Sequence, residues 1–339
     1  MALCGEDGNL MQVKPAEYEV PLVDFARGDD TGMDFPLHPD AFAAAGADWL
    51  TAAFRRFGAL AQDNRVARID RIEPCPGGST GMKLFLEVSY ARPDPGLHRD
   101  LFVKFSRNFA DARRDRMRYE LEAEVPFAAM SRLPGFPIRV PAAYFADYEK
   151  ETGSGIVITE RIRYDDGVVE AQRAKCLDHL TLADPAPYYR LIIQSLARLA
   201  GAQKAGRLAP DIDRRFPFDP ELGSADPIRC DEAGVRGLIE QNADFARRCP
   251  RLLPPAILSP RFQQRMADDA LRNLARQDAI RRHLAGNPAM IALLHWNAHI
   301  DNCWFWRDDA GALQCGLLDW GRTGQITFGA ALWGCLSGA

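Results

Sequence analysis

The stretch from His295 to Gly321 constrains the fold more than any other part of this chain. It follows a short apolar run and contains a polar loop and two strand-like runs, residues 304–306 and 313–318. The residues between these runs read Arg-Asp-Asp-Ala-Gly, a composition typical of the turn between two paired strands. We therefore predict a hairpin that returns the end of its second strand towards the polar loop.

The loop and the end of the second run carry side chains of one chemical kind. They all offer oxygen or imidazole groups: His295, Asn297, His299, Asp301, Asn302 and Asp319. A hard cation such as Mg²⁺ prefers oxygen ligands, and an Asn–Asp pair suits an ion that arrives with a polyphosphate. The pattern therefore predicts a magnesium site formed by Asn302 and Asp319.

The same stretch resembles the catalytic core of the aminoglycoside and choline kinase-like phosphotransferases, which share the protein-kinase-like fold. Their signature is His-Gly-Asp-x-His-x-x-Asn, followed by a strand and a Mg²⁺-binding Asp, often within Asp-Trp. The matching residues here are His295, His299, Asn302 and Asp319-Trp320. The chain departs from the signature at Trp296 and Asn297, which replace the Gly and the Asp. Within the family, the choline and ecdysteroid kinase-like small-molecule kinases are the most similar branch.

This resemblance implies an α+β fold with two lobes. The N-terminal lobe would contain an antiparallel sheet with helices, and the C-terminal lobe would be mainly helical with a catalytic hairpin. The resemblance also implies ATP or GTP and Mg²⁺ as cofactors, and a hydroxyl group of a small molecule as the acceptor of phosphate.

The catalytic candidates are Asn297, His295 and Asp301. In the family, an Asp at the position of Asn297 orients and deprotonates the acceptor hydroxyl, but an amide cannot take up a proton. Three alternatives follow: a slow enzyme, an enzyme in which Asp301 acts instead, or a catalytically inactive module that binds nucleotide. His295 is expected to brace the loop.

A glycine-rich segment, residues 76–81, lies between two strand-like runs. From Met82 to Tyr90 apolar side chains alternate strictly with others, which is typical of a half-buried strand. Glycine lets a backbone approach phosphate closely, so Gly78 and Ser79 are candidate nucleotide contacts. The letters Gly-x-Ser-x-Gly also match the nucleophile elbow of serine hydrolases, which makes Ser79 a remote alternative nucleophile. That motif requires a helix after it, whereas the alternation predicts a strand.

The third strand-like run, residues 101–105, contains Lys104 among apolar residues. A lone Lys in a strand is usually a solvated residue or protects a sheet edge. The resemblance implies instead that Lys104 holds the nucleotide phosphates. The family's Glu-Val-x-Phe pattern selects Glu124 as the residue that orients Lys104, with Glu120 as the second candidate. Pro126 lacks an N–H group, so a helix is expected to start or kink beside it.

Two further strand-like runs, residues 140–148 and 155–159, complete a predicted five-stranded antiparallel sheet. The last of them leads into the position of the family's hinge, where backbone groups bind the adenine edge. Glu160 and Ile162 are the implied contacts, and we place the boundary between the lobes near Ile162.

Two domains follow from this boundary. Residues 1–162 would form the N-terminal lobe, with an irregular lead-in up to residue 38, a helix at 43–57 and the nucleotide-binding sheet. Residues 163–339 would form the helical lobe with the catalytic and metal-binding loops. The expected helices cover about 185–203, 231–249 and 260–284. Family members continue with further helices beyond this point, so the lobe is expected to be short at its end or the sequence to be a piece of a longer one.

Composition excludes several other classes of function. A net charge of −4 and a pI near 5.9 provide no polycationic surface for nucleic acid. No apolar run approaches the roughly 20 residues of a membrane span, and the first residues lack a signal-peptide pattern. The 8 cysteines are scattered without a Cys-x-x-Cys pair, which argues against a disulfide framework and a zinc site and favours a cytoplasmic location. A metal-dependent hydrolase using His295, His299 and Asp319 would also lack the Glu that follows the first His of a zinc-protease helix.

Overall fold

A computed structural model describes residues 22–164, 166–224 and 227–337. Within these ranges the strands are β1 (Phe25–Arg27), β2 (Asp34–Pro36), β3 (Val66–Pro74), β4 (Met82–Tyr90), β5 (Asp100–Phe105), β6 (Ala143–Glu149), β7 (Ser154–Glu160), β8 (Ile291–His295), β9 (Cys303–Arg307), β10 (Leu313–Leu317) and β11 (Thr323–Thr327). The helices are α1 (Pro39–Arg56), α2 (Ala112–Asp115), α3 (Glu124–Ser131), α4 (Ala186–Lys204), α5 (Ile212–Arg215), α6 (Glu232–Arg248), α7 (Pro255–Leu258), α8 (Pro260–Ala285) and α9 (Phe328–Leu336).

The chain divides into two compact units. The first comprises the described residues of Asp219–Met290 and contains α6, α7 and α8. Side-chain caps begin its two long helices: Asp231 accepts a hydrogen bond from the Gly234 N–H, and Ser259 accepts one from the Phe262 N–H. The two helices expected here from the sequence are therefore confirmed.

The second unit comprises the described residues of Tyr18–Phe218 and Ile291–Ala339, and it contains the five-stranded sheet. The strand order is β3-β4-β5-β7-β6, and every neighbouring pair is antiparallel. The strict alternation in β4 buries Leu84, Leu86 and Val88 against α1, while the intervening side chains stay half-buried on the other face. The predicted α+β class and the five-stranded antiparallel sheet are confirmed.

A second hydrophobic core lies in the same unit. It forms where α4 packs against the β8–β11 and β9–β10 pairs, and its buried residues include Ile192, Leu199, Leu293 and Leu317. The predicted hairpin is the β9–β10 pair. Two separate cores in one unit agree with the two-lobed arrangement, although Phe127 of α3 also contributes to the second core. The lobe boundary near Ile162 stays a prediction.

Several local predictions were incomplete or wrong. Residues 1–21 of the expected irregular lead-in lie outside the described residues, and the part that follows contains a hairpin of β1 and β2. Helix α1 begins at Pro39, earlier than expected, and bends at Gly46, where φ is 70°. Strand β11 and helix α9 were not predicted. In the part of the chain that the structure describes, no helix has the length and apolar character needed to cross a membrane.

Candidate active site

Three side chains from distant parts of the chain meet at one point. The amine of Lys104, on the central strand β5, lies 2.7 Å from a carboxylate oxygen of Glu124 and 2.6 Å from one of Asp319. The Lys104 and Glu124 side chains are 7% and 12% exposed, whereas that of Asp319 is 48% exposed. The contact thus joins a buried ion pair to a carboxylate that faces an open cleft.

Electrostatics fix the charges of this cluster. Burial alone would lower the pKa of Lys104, but the carboxylates of Asp319 and Glu124 outweigh it and raise that pKa, so the amine is charged. The charge of Lys104 lowers the pKa of Asp319 to about 2, despite burial acting in the opposite direction. Burial raises the pKa of Glu124 although Lys104 opposes the effect. Asp319 is therefore the carboxylate that stays ionised most firmly.

The start of α3 decides which glutamate reaches Lys104. Glu124 is the first residue of α3, so Pro126 falls within the first turn, where a missing N–H group is tolerated. Glu120 lies in the preceding 3₁₀ turn and contacts Arg322 at 3.5 Å instead. The predicted pairing of Lys104 with Glu124 is present, and the second candidate does not make it.

His295 connects the polar loop to the hairpin. The side chain is fully buried at the end of β8. Its Nδ1 accepts a hydrogen bond from the Asn297 N–H at 3.0 Å, so Nε2 carries the proton and donates to the Leu318 carbonyl at 3.0 Å. Burial lowers the pKa of His295, which keeps the ring neutral. His295 therefore braces the loop against the residue that precedes Asp319, as expected, and it does not line the cleft.

The two predicted metal ligands lie on either side of this brace. The Asn302 amide nitrogen donates to the Asn297 carbonyl at 2.8 Å, which leaves its side-chain oxygen available for a cation. The Leu318 N–H donates to the Asn302 carbonyl at 3.0 Å, so the hairpin returns to the loop next to Asp319. Both side chains line the same cleft.

This donor set fits Mg²⁺ carried by a polyphosphate better than a metal bound by protein alone. Among the described residues, no group of three or more His, Cys, Asp or Glu side chains is placed to hold a metal ion. Mg²⁺ commonly takes one or two protein oxygens and completes its octahedron with phosphates and water. Asn302 and Asp319 supply such a pair, and the zinc alternative lacks a ligand set in this part of the chain.

The cleft has a volume of about 600 Å³, within the range of nucleotide-sized pockets. Of the predicted site residues, it is lined by Gly78, Lys104, Glu124, Glu160, Ile162, Asp301, Asn302 and Asp319. The Glu160 carboxylate accepts a hydrogen bond from the Ala142 N–H at 3.1 Å and lies 3.3 Å from His98 Nε2. Its side chain therefore contacts the segments beside the end of β7. Asn297 and Ser79 do not line the cleft.

Asp301 lies at the cleft with part of its carboxylate unsatisfied. Its Oδ1 is buried and has no hydrogen-bond partner among the described residues, and the same is true of His299 Nδ1. Burial lowers the pKa of His299, which favours the neutral ring. Because buried polar atoms are normally hydrogen-bonded, the free Asp301 oxygen has room for a partner that the described residues do not supply.

The glycine-rich segment contacts the cleft through its backbone. Gly77, Gly78 and Gly81 have φ values of 91°, 78° and 45°, which L side chains rarely adopt. A Cβ at Gly81 would lie 1.8 Å from the Phe105 carbonyl oxygen, so this position also permits the close pairing of β4 with β5. Ser79 lies between two antiparallel strands and lacks the strand–helix turn of a hydrolase elbow, which removes the structural basis of the serine-hydrolase alternative.

Sequence reasoning missed two features of the cleft. Lys83 lines it and is the cross-strand neighbour of Lys104. The Arg161 guanidinium lies 3.7 Å from the centre of the Phe85 ring, and both residues line the cleft. The alternation in β4 contained the signal, because Lys83 and Phe85 occupy the face opposite to the buried leucines.

No family model and no curated protein matches the chain. Among solved structures, it is similar to the GDP and kanamycin complex of APH(2")-IIIa, with 13% sequence identity and a TM-score of 0.36 over 83% of this chain and 74% of that one. It is similar to choline kinase from Cryptosporidium parvum Iowa II, with 12% identity and a TM-score of 0.38 over 78% and 61% of the two chains. A third similar structure is a thermostable mutant of the aminoglycoside phosphotransferase APH(4)-Ia in a ternary complex with ADP and hygromycin B, with 12% identity and a TM-score of 0.32 over 86% and 74%.

Proposed function

We propose that the cleft binds ATP or GTP with Mg²⁺ and that the protein transfers the terminal phosphate to a hydroxyl group of a small molecule. One observation carries this proposal: the buried amine of Lys104 is held between Glu124 and Asp319 at the wall of a nucleotide-sized cleft. Phosphoryl transfer needs positioning and neutralisation of charge more than covalent chemistry from the protein. A fixed cation beside a carboxylate of low pKa meets both needs.

Each residue of the cluster has a separate task. An ammonium group has three N–H donors, and Lys104 uses two of them on the carboxylates, which leaves one for a phosphate oxygen. Glu124 keeps the Lys104 amine charged and in place. Asn302 and Asp319 would hold the Mg²⁺ ion, which when bound would supply positive charge that neutralises the phosphates.

The acceptor hydroxyl would be positioned by the polar loop. Asn297 accepts hydrogen bonds through its amide oxygen but cannot take up a proton. The Asp that acts as general base in the family this chain resembles is therefore absent at this position. Asp301 is the carboxylate of the loop that does line the cleft. We therefore propose slow transfer, with a module that binds nucleotide without transfer as the second candidate, favoured by the amide at Asn297.

An Asn297→Asp variant separates these two candidates. Asn and Asp are nearly isosteric, so the variant should fold normally, and a restored general base should raise turnover by about 10²- to 10⁴-fold. Transfer of labelled phosphate from ATP to a panel of choline, ethanolamine, sugars, aminoglycosides and sterols would be measured for both forms.

The pattern of turnover decides between the alternatives. Higher turnover in the Asp form supports an attenuated enzyme. Equal and robust turnover in both forms assigns the proton transfer to another group, with Asp301 as the first candidate. Nucleotide binding without turnover in either form contradicts the transfer part of the proposal and supports the binding module.

A further inference from the structure

Lys83 is a second lysine that lines the cleft. It lies on β4 directly opposite Lys104 on β5 in the antiparallel register, and both side chains line the cleft. A Cβ built on Gly78 would lie 1.8 Å from the Lys83 amine, so this amine rests against the backbone of the glycine-rich segment. Lys83 therefore lies between Lys104 and the backbone of the glycine-rich segment, both of which are suited to bind phosphate.

The two lysines differ in how their charges are balanced. Lys104 contacts two carboxylates, whereas in the described part of the chain no carboxylate lies within 4.0 Å of the Lys83 amine. On the same face of β4, Glu87 lies near two arginines, Arg71 and Arg99. Glu87 is thus occupied by the two arginines and does not balance the charge of Lys83.

This arrangement is unfavourable for the protein alone. Like charges directly opposite each other on neighbouring strands are destabilising, and a half-buried ammonium group without a carboxylate in direct contact is also costly. Burial and then the nearby charge of Lys104 lower the pKa of Lys83, and the Asp319 carboxylate opposes them only in part. An anion bound between the two amines would remove both penalties at once.

We propose that Lys83 binds the phosphate chain of the nucleotide directly, as a second cation beside Lys104. The inference rests on the proposed nucleotide binding and adds a residue that the signature of the loop does not contain. Lys104 has a single N–H donor left after its two carboxylate contacts, whereas none of the three Lys83 donors has a hydrogen-bond partner among the described residues. Lys83 thus adds a positive charge to the cleft beside that of Lys104.

Calorimetric titrations with ATP, inorganic tripolyphosphate and adenosine test this role. For Lys83→Met, affinity for ATP and for tripolyphosphate should fall about 10- to 100-fold, the effect of losing one charged hydrogen bond. Affinity for adenosine should not change. Lys83→Arg should retain most of the affinity for ATP. Lys150→Met serves as the matched control, because Lys150 lies in an exposed turn, and it should bind all three ligands like the wild type.

Thermal melting of the ligand-free proteins provides the second measurement. Lys83→Met should melt no lower than the wild type, because it removes the repulsion between two opposed amines. Lys83→Gln keeps a polar side chain and replaces this variant if Met disrupts β4.

Two results overturn the role of Lys83. One is unchanged affinity for ATP in Lys83→Met while Asp319→Ala weakens binding, which leaves the proposed function standing. The other is an equal loss of affinity for ATP and adenosine, which assigns Lys83 a structural role. A wild-type protein that binds neither ATP nor tripolyphosphate overturns both proposals together.

Discussion

Asp319 is the residue whose charge connects stability with the proposed chemistry. It adopts a left-handed backbone conformation with φ of 64°, which Asp tolerates better than most residues. This conformation ends β10 and turns the carboxylate towards Lys104 and the cleft. The carboxylate that would hold Mg²⁺ therefore also contributes to stability through Lys104.

We predict a pH-dependent loss of stability in Asp319→Asn. The folded-state pKa of Asp319 is about 2, below its ordinary value of 3.8, so its contribution is fully present above 3.8 and disappears as the pH falls towards 2. Because the side chain is half exposed, we expect a loss of only about 1 kcal/mol at neutral pH. Urea unfolding of both forms between pH 7 and pH 2.5 measures this difference. A difference that stays constant over the whole range would contradict the assignment.

At the residue scale, the sequence predicted chemical types better than positions. Lys104, Glu124, Asn302 and Asp319 were found because their types and spacings match a known motif, and the structure brings them to one cleft. Asn297 occupies the motif position but lies outside the cleft lining. Lys83 was missed because its meaning depends on the register between β4 and β5, which a sequence pattern does not specify.

At the scale of elements, we expect substitutions in the glycine-rich segment to lower stability most at Gly81, where the segment enters β4. Gly81→Ala should lower the free energy of unfolding by about 2–3 kcal/mol, because it combines a positive φ with a Cβ only 1.8 Å from the Phe105 carbonyl oxygen. Gly77→Ala is the matched control. It has a φ of 91° with no atom within 4 Å of the added Cβ, so backbone strain alone should lower stability by about 1 kcal/mol. Chemical denaturation compares the two, and equal losses would refute the close contact.

The elements that the sequence predicted are those with a strong period. The alternation of β4 and the apolar stripe of α4 define single faces, and both elements were found. Strand β11 has the sequence Thr-Gly-Gln-Ile-Thr and forms because it pairs with β8. Its own sequence has no alternation of apolar and polar residues that would predict a strand. Helix α9 is apolar on nearly every face and lacks a helical period. The start of helix α1 was placed too late because its cap is the ring nitrogen of His38, a residue type that is not among the preferred helix caps.

At the scale of the molecule, the five-stranded sheet and the β9–β10 hairpin contribute side chains to the same cleft, although they are far apart in the sequence. Lys104 and Asp319 are 215 residues apart in the chain, and their contact depends on both cores of the larger unit. The five strands of the sheet followed from their local patterns, and the fold class followed from the resemblance. The separation of Asp219–Met290 as a compact unit of its own did not, because it depends on tertiary contacts rather than on local pattern.

The most direct test of the central claim is calorimetric titration of ATP with and without Mg²⁺, on the wild type and on Asp319→Ala. Asp309→Ala, in the exposed turn of the same hairpin, is the control. We predict that Mg²⁺ strengthens binding of ATP to the wild type and to the control, and that Asp319→Ala abolishes this dependence on the metal. An unchanged Mg²⁺ dependence in Asp319→Ala, or no binding of ATP to the wild type under either condition, would contradict it.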